Sequence, residues 1–269
     1  MLASEDRPAS HVLRRPDAGW FLSLYPSAGE AGGSFVSSLR RGGTGIRGAA
    51  VDPDRSRAEA ARRAGVKVRR YCAANGLDRM GTLTYAGAGC HDPRAVRADV
   101  ADFFRRLRTG IGGDPFPYLW VPEWHPGGHG LHLHYAMGQF VPRSTLVDAW
   151  GRGFVHIKRF TNLPSGGGAS GSLTRSRAAA RYLSKYVSKS FDSAPGRERP
   201  SGLHRYEVAE GFQPRGLRLS GRSPDEVLAK ASAVMGGQPS SLWWSGDSPS
   251  WEGPPAYWFA WDRPARCAP

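Results

Sequence analysis

The sequence predicts an α+β protein built on a central antiparallel sheet with helices packed on one face. Three observations carry this. Residues 76–192 alternate between short runs rich in β-branched and aromatic residues and longer helix-forming runs, in the order strand, helix, strand, strand, helix, strand, helix. Two of the strand-like runs are close enough to form a hairpin. On either side, residues 1–75 and 193–269 are punctuated by glycine, proline and serine, which predicts irregular extensions. The expected division is therefore 1–75, an extension with one basic helix; 76–192, a catalytic core; and 193–269, a tryptophan-rich extension.

Taken in order, residues 1–50 read as loop with one short strand at 19–26, and the glycine-rich 29–50 as flexible. The GGTGIRG run at 42–48 lacks the Gly-Lys-Ser/Thr ending of a phosphate-binding loop. Residues 53–74 predict a basic helix capped by Asp52 and stopped at Gly76. Its arginines either face solvent or touch a polyanion. MGTLTYAG at 80–87 is a strand. Residues 91–112 form a helix with Val96, Val100, Phe103, Phe104 and Leu107 on its inner side. FPYLWVPEWHPGGHGLHLHYAM at 116–137 begins the hairpin. A short helix at 144–150, a strand ending at Ile157, a long loop at 161–172 and a helix at 174–190 complete the core. Beyond it, His204 to Tyr206 begin a strand pair and 224–236 make a short helix; Trp243, Trp244, Trp251, Trp258 and Trp261 either stack on unpaired bases, bind a partner protein or pack back on the core sheet, and the near-zero local charge favours packing.

Composition narrows the function. The 269 residues are 40% hydrophobic, enough for a real core. The formal charge is +14, from 37 basic and 23 acidic side chains, which favours a nucleic acid or an anionic surface as partner. Position matters more than the total. Residues 152–189 hold Arg152, Lys158, Arg159, Arg175, Arg177, Arg181, Lys185 and Lys189 and no Asp or Glu. Of these, Arg175, Arg177, Arg181, Lys158 and Arg159 are the DNA-binding candidates. The three cysteines are scattered and form no metal-ribbon spacing. No apolar run reaches the ~20 residues of a membrane span, and the N-terminus lacks the apolar stretch of a secretory signal, so a cytoplasmic protein is expected.

Two stretches carry chemistry. His132 and His134 stand at i and i+2, so in a strand both imidazoles leave one face. Two adjacent imidazoles invite a divalent metal, and Glu123, His125 and His129 are the further donors in reach. Mg or Mn suits the site if carboxylate and phosphate dominate, and Zn otherwise. In the second stretch, Tyr182 and Tyr186 are four apart on one helical face, each with a lysine three residues on, Lys185 and Lys189. A tyrosine hydroxyl, with an ordinary pKa of ~10, attacks only if a cation polarises its target or favours the phenolate. Metal motif and tyrosine helix together point to phosphodiester chemistry.

These residues resemble the HUH endonucleases, and more closely the rolling-circle replication initiators of plasmids and single-stranded-DNA phages. Thr82-Leu83-Thr84-Tyr85 resembles the first family motif. Glu123 with His132-Leu133-His134 resembles the metal motif. Tyr182-Leu183-Ser184-Lys185-Tyr186-Val187-Ser188-Lys189 resembles the tyrosine motif in its doubled form. The resemblance implies an HUH, ferredoxin-like core that nicks single-stranded or hairpin origin DNA. It implies Glu123, His132 and His134 as ligands of a divalent metal, Mg or Mn. Tyr182 and Tyr186 become nucleophiles, with Lys185 and Lys189 among the catalytic side chains. Tyr186 is the first choice of the two, because both lysines lie within a turn of it. Host helicase and polymerase are the expected protein partners, since the chain shows no helicase motif of its own. A two-tyrosine transposase or relaxase of the same chemistry, a zinc hydrolase, and a non-catalytic DNA-binding protein are the alternatives.

Overall fold

A computed structural model of the chain describes residues 18–37, 52–158, 169–189 and 203–262. The α+β class is as expected, with two five-stranded antiparallel sheets. In chain order the elements begin with strands β1 (Gly19–Tyr25) and β2 (Glu30–Val36) and helix α1 (Pro53–Ala74). The central elements are β3 (Arg79–Tyr85), α2 (Pro93–Gly110), β4 (Tyr118–Trp124), β5 (Leu131–Met137), α3 (Arg143–Trp150), β6 (Gly153–Lys158) and α4 (Ala169–Lys189). The last are β7 (Glu207–Val208), β8 (Leu217–Gly221), α5 (Pro224–Met235), β9 (Ser241–Trp244) and β10 (Ala256–Ala260).

The core sheet has the order β6-β3-β5-β4-β7. Its central strand β5 is buried along its whole length, because helices cover both faces of the sheet rather than one. Leu131, Leu133, Tyr135 and Met137 point to the side of α2 and α3, where Val96, Val100, Phe103, Phe104, Leu107 and Trp150 meet them. Ala136, Leu119 and Val121 point the other way, to Ala179, Ala180, Leu183 and Val187 of α4 and Val68, Tyr71 and Cys72 of α1. Period-2 alternation sorts the strand residues into two sets, and both sets find an apolar helix stripe.

The caps follow the sequence. The Asp52 carboxylate accepts from the Arg55 amide at 2.9 Å, and Asp92 does the same for Arg94 at 2.8 Å. Both satisfy orphan amides of a first turn. Helix α4 begins at Ala169, five residues before the predicted start, so the end of the expected 161–172 loop is helical. The rest of that loop and the GGTGIRG run lie outside the described residues.

The termini depart most from expectation. The segment read as flexible from 29 onward contains β2, which pairs with β1 from Tyr25 opposite Glu30 to Gly19 opposite Val36. The tryptophan-rich end does not pack on the core sheet. It supplies β9 and β10, and the second sheet runs β8-β1-β2-β10-β9, so the two ends of the chain form one sheet. Trp258 stands opposite Gly32 and Tyr257 opposite Gly33, and at Gly33 a Cβ would strike the backbone of Phe21 and Leu22 on β1. Helix α5 covers one face through Val227 and Ala231. The strand expected near His204 is the short β7, which joins the edge of the core sheet at Leu119 and Trp120 instead of pairing locally.

Helix α1 ties the two sheets together. Its Val68, Tyr71 and Cys72 pack in the core, while Arg69 and Arg70 reach the second sheet. Both guanidinium groups bind the wholly buried Glu30, Arg69 Nε at 2.7 Å and Arg70 Nε at 2.6 Å. Arg70 also lies over the Tyr25 ring at 4.1 Å. The other described arginines of this helix settle on nearby acids: Arg57 on Asp54, Arg62 and Arg63 on Glu59, and Arg55 on Glu252.

Candidate functional site

The hairpin register builds the first half of the site. Glu123 on β4 stands directly opposite His132 on β5, and His134 follows two residues on from the same face. The three side chains converge. Glu123 Oε2 lies 2.8 Å from His132 Nε2 and 2.9 Å from His134 Nε2, and the two ring nitrogens are 3.1 Å apart. Both histidines are buried, at 8% and 6% exposure, and Glu123 is half-buried. Three atoms bearing lone pairs repel one another at this separation unless a cation or a shared proton lies among them. Two imidazole nitrogens and one carboxylate oxygen are a donor set that fits a divalent cation, and Glu123, His132 and His134 can hold one.

Thr82 on β3 completes the arrangement. It pairs with His134 in the sheet, and its hydroxyl lies 3.0 Å from His134 Nδ1. With Nδ1–H donating to that oxygen, the Nε2 lone pair faces the cluster. An outer partner of this kind fixes both ring orientation and tautomer. In the sequence Thr82 stands out only as part of the Thr82-Leu83-Thr84-Tyr85 stretch. The pairing of β3 with β5, which brings them together, is not written in either strand.

His125 and His129, the alternative donors, belong to the turn. The His125 Nδ1 accepts from the Gly127 amide at 3.1 Å, and the turn closes through the His125 amide on the Gly130 carbonyl at 2.8 Å. Gly130 takes a positive φ of 74° against Cys90, where a Cβ would strike the Cys90 backbone. The His125 ring lies 5.3 Å from the His132 ring, but the donor that meets both buried histidines is Glu123.

Helix α4 supplies the second half. Leu183 and Val187 are buried on the sheet, and the tyrosines stand beside them, half-buried. The Tyr186 ring stacks on the His134 ring with centroids 3.7 Å apart and planes 19° from parallel. Its hydroxyl donates to the Tyr182 oxygen at 2.6 Å. Lys158, at the end of β6, places its ammonium 3.8 Å from the centroid of the Tyr182 ring. The two phenols are thereby made unlike. Burial works against ionisation of Tyr182, but the hydrogen bond from Tyr186 and the contact with Lys158 outweigh it and set its pKa below the ordinary phenol value. Burial, the donated hydrogen bond and the facing Tyr182 oxygen push Tyr186 well above that value.

The remaining predicted residues scatter. Lys185 and Arg181 are exposed on α4. The side chain of Lys189, and Arg159 altogether, lie outside the described residues. Arg175 binds Asp78 at 3.1 Å. Arg177 serves the architecture instead. Its guanidinium donates to the carbonyls of Gly29 and Trp261, each at 3.0 Å, and so joins α4 to the second sheet. Burial lowers its pKa. Arg152 binds Asp99 at 2.7 Å and Asp102 at 3.0 Å. Among the described side chains of the basic block, Lys158 is the member placed on a tyrosine ring, and it comes from a strand rather than from the tyrosine helix.

Among the described residues no helix is long and apolar enough to cross a membrane. Comparison with curated proteins and with solved structures found no match. Residues 78–191 carry the triad, both tyrosines, Thr82 and Lys158, and this segment matches the family model of the replication-associated protein ORF2, in agreement with the resemblance drawn from its motifs.

Proposed function

We propose that the protein is a rolling-circle replication initiator that nicks single-stranded origin DNA. The observation that carries this reading is the meeting of two independent sequence motifs: a Glu-His-His cluster and a tyrosine pair whose nearer ring lies flat on a cluster histidine. A family tied to replication over the same residues supports it.

In this reading Glu123, His132 and His134 hold a divalent cation, Mg²⁺ or Mn²⁺. When bound it would polarise the scissile phosphate and offset the charge that builds on its oxygens. Tyr182 is the first nucleophile. Its oxygen forms a bond to phosphorus while the bond from phosphorus to the 3′ oxygen breaks. The phenol proton passes to solvent as the bond forms, and the departing 3′ oxygen takes a proton from solvent to become a free 3′-OH. The DNA 5′-phosphate remains on the tyrosine. Lys158 favours the phenolate by its charge, and Tyr186 does so by donating a hydrogen bond to it. Tyr186, next to the cluster, is placed to act in a second transfer. This reverses the preference for Tyr186 that spacing alone supports, because Lys185 is exposed and, among the described side chains, the cation on a tyrosine ring is Lys158. Thr82 positions His134.

The test is cleavage of labelled single-stranded DNA bearing candidate origin hairpins. His134→Ala should lose cleavage in Mn²⁺ by at least about a hundredfold while binding the strand nearly as well, since phosphate contacts elsewhere supply most of the affinity. EDTA should abolish cleavage by the unmutated protein. Equal cleavage by both proteins, or cleavage that survives EDTA, would refute the reading.

A further inference from the structure

The core sheet presents an aromatic side chain next to the cluster that the chemistry above does not use. The outward face of β6 carries Phe154, His156 and Lys158 at i, i+2 and i+4. Phe154 pairs with Thr84, His156 with Thr82 and Lys158 with Met80. Thr82 faces His134 across β3 and β5, and Leu83 stands opposite Leu133, which sets Thr84 beside His132. His132 in turn stands opposite Glu123. One row across the sheet therefore reads Phe154, Thr84, His132, Glu123, and the next reads His156, Thr82, His134, Val121. Phe154 shares the face and the row of the metal-ligating groups, two strand spacings or roughly 10 Å from His132.

Phe154 is 69% exposed, the most open of the large apolar side chains among the described residues. It sits on an edge strand, with Lys158 at the tyrosine end of the same strand face. His156 and Lys158 also reach a cleft of about 1000 Å³ at the β6 edge, which Phe154 does not line and which holds Asp78 beside Arg79, Arg143 and Arg175. The strand face itself offers an exposed ring at Phe154 and a cation at Lys158, which suits a strand of unpaired nucleotides, with a phosphate to the cation and a base to the ring.

We propose that Phe154 is a stacking platform for an unpaired base of the strand whose phosphate lies at the Glu123-His132-His134 cluster, so that β6 is a track for single-stranded DNA leading to Tyr182. The ring fixes which internucleotide bond meets the tyrosine, and Lys158 marks the end of the track. The occupant is single-stranded rather than paired DNA, because a stacked base must offer its flat face. This assignment rests on the nicking reading for the position of the phosphate, yet its binding consequence is separable.

The test uses full-length protein carrying Tyr182→Phe and Tyr186→Phe, so that binding is read without cleavage, in Mn²⁺. Its affinity for fluorescent oligo-dT is compared with that for an abasic strand of equal length. Adding Phe154→Ala should weaken oligo-dT binding about tenfold, as loss of one stacked base does, and leave binding of the abasic strand unchanged. Phe154→Trp should restore oligo-dT affinity. Because the ring is exposed, the thermal midpoint should not move. Equal oligo-dT affinity with and without the ring would overturn the proposal. So would an equal loss on both strands, or no binding of oligo-dT at all. The nicking reading is judged separately, by adduct formation in protein with both tyrosines intact: its failure alongside the base-dependent loss would leave the platform standing and the chemistry wrong.

Discussion

Thr82 shows how a side chain with no chemistry of its own can govern a site. Its hydroxyl holds the His134 ring through Nδ1, so the opposite nitrogen meets Glu123 and His132. Thr82→Ala should weaken Mn²⁺ binding roughly ten- to a hundredfold by calorimetry, and Thr82→Ser should recover most of it. Unchanged affinity in the alanine variant would assign Thr82 to packing alone. Lys158 acts on the other partner. Because it helps lower the Tyr182 pKa, nicking that uses the phenolate should rise with pH and level off above that lowered pKa. Lys158→Met removes the cation, raises the phenol pKa and should move the rising limb of the pH–rate profile to higher pH. A profile that keeps its position would mean that Lys158 only binds DNA. The histidines and Glu123 were legible in the sequence because strand period and hairpin spacing are local. The roles of Thr82 and Lys158 were not, because each depends on which strand lies beside which.

Among the elements, the helices were legible almost to their ends, because caps and apolar stripes are local. Asp52 caps as the sequence predicts, and Asp92 caps α2 in the same way. The early start of α4 at Ala169 was hidden by a glycine- and serine-rich run that reads as loop. What no local pattern reveals is the long-range partner of a charged residue. Glu30 lies in a segment read as flexible, yet it is buried on Arg69 and Arg70. Removing one partner of such a group leaves uncompensated buried charge. Glu30→Gln should therefore lower the unfolding free energy by about 3 kcal/mol in urea titration. A midpoint equal to that of the parent would show that the three groups are solvated together rather than coupled.

The whole molecule places the Glu-His-His cluster on one sheet and joins its N-terminal and C-terminal strands in another. The basic surplus told of an anionic partner, but charge alone does not show where each member goes: Arg177 binds carbonyls, Arg175 and Arg152 bind carboxylates, and the strand residue Lys158 stands at a tyrosine ring. The second sheet was invisible in the sequence for a physical reason. Its strands come from residues 19–36 and 217–260, and their pairing is a matter of topology rather than composition. Arg177 and Glu30 fasten it to α4 and α1, the helices that cover the site side of the core sheet.

The role given to Tyr182 is open to a single decisive experiment: trap the protein–DNA adduct and read which tyrosine carries it. Protein, Mn²⁺ and single-stranded origin DNA would be quenched in denaturant, digested, and the nucleotide-bearing peptide identified by mass spectrometry, for the parent and for Tyr182→Phe and Tyr186→Phe. The expected result is a 5′-phosphate on Tyr182 in the parent, loss of the first-round adduct in Tyr182→Phe, and its retention in Tyr186→Phe at a reduced rate. A first-round adduct on Tyr186 alone would contradict the role given to Tyr182 and Lys158. DNA cut without any tyrosine adduct would contradict the mechanism as a whole.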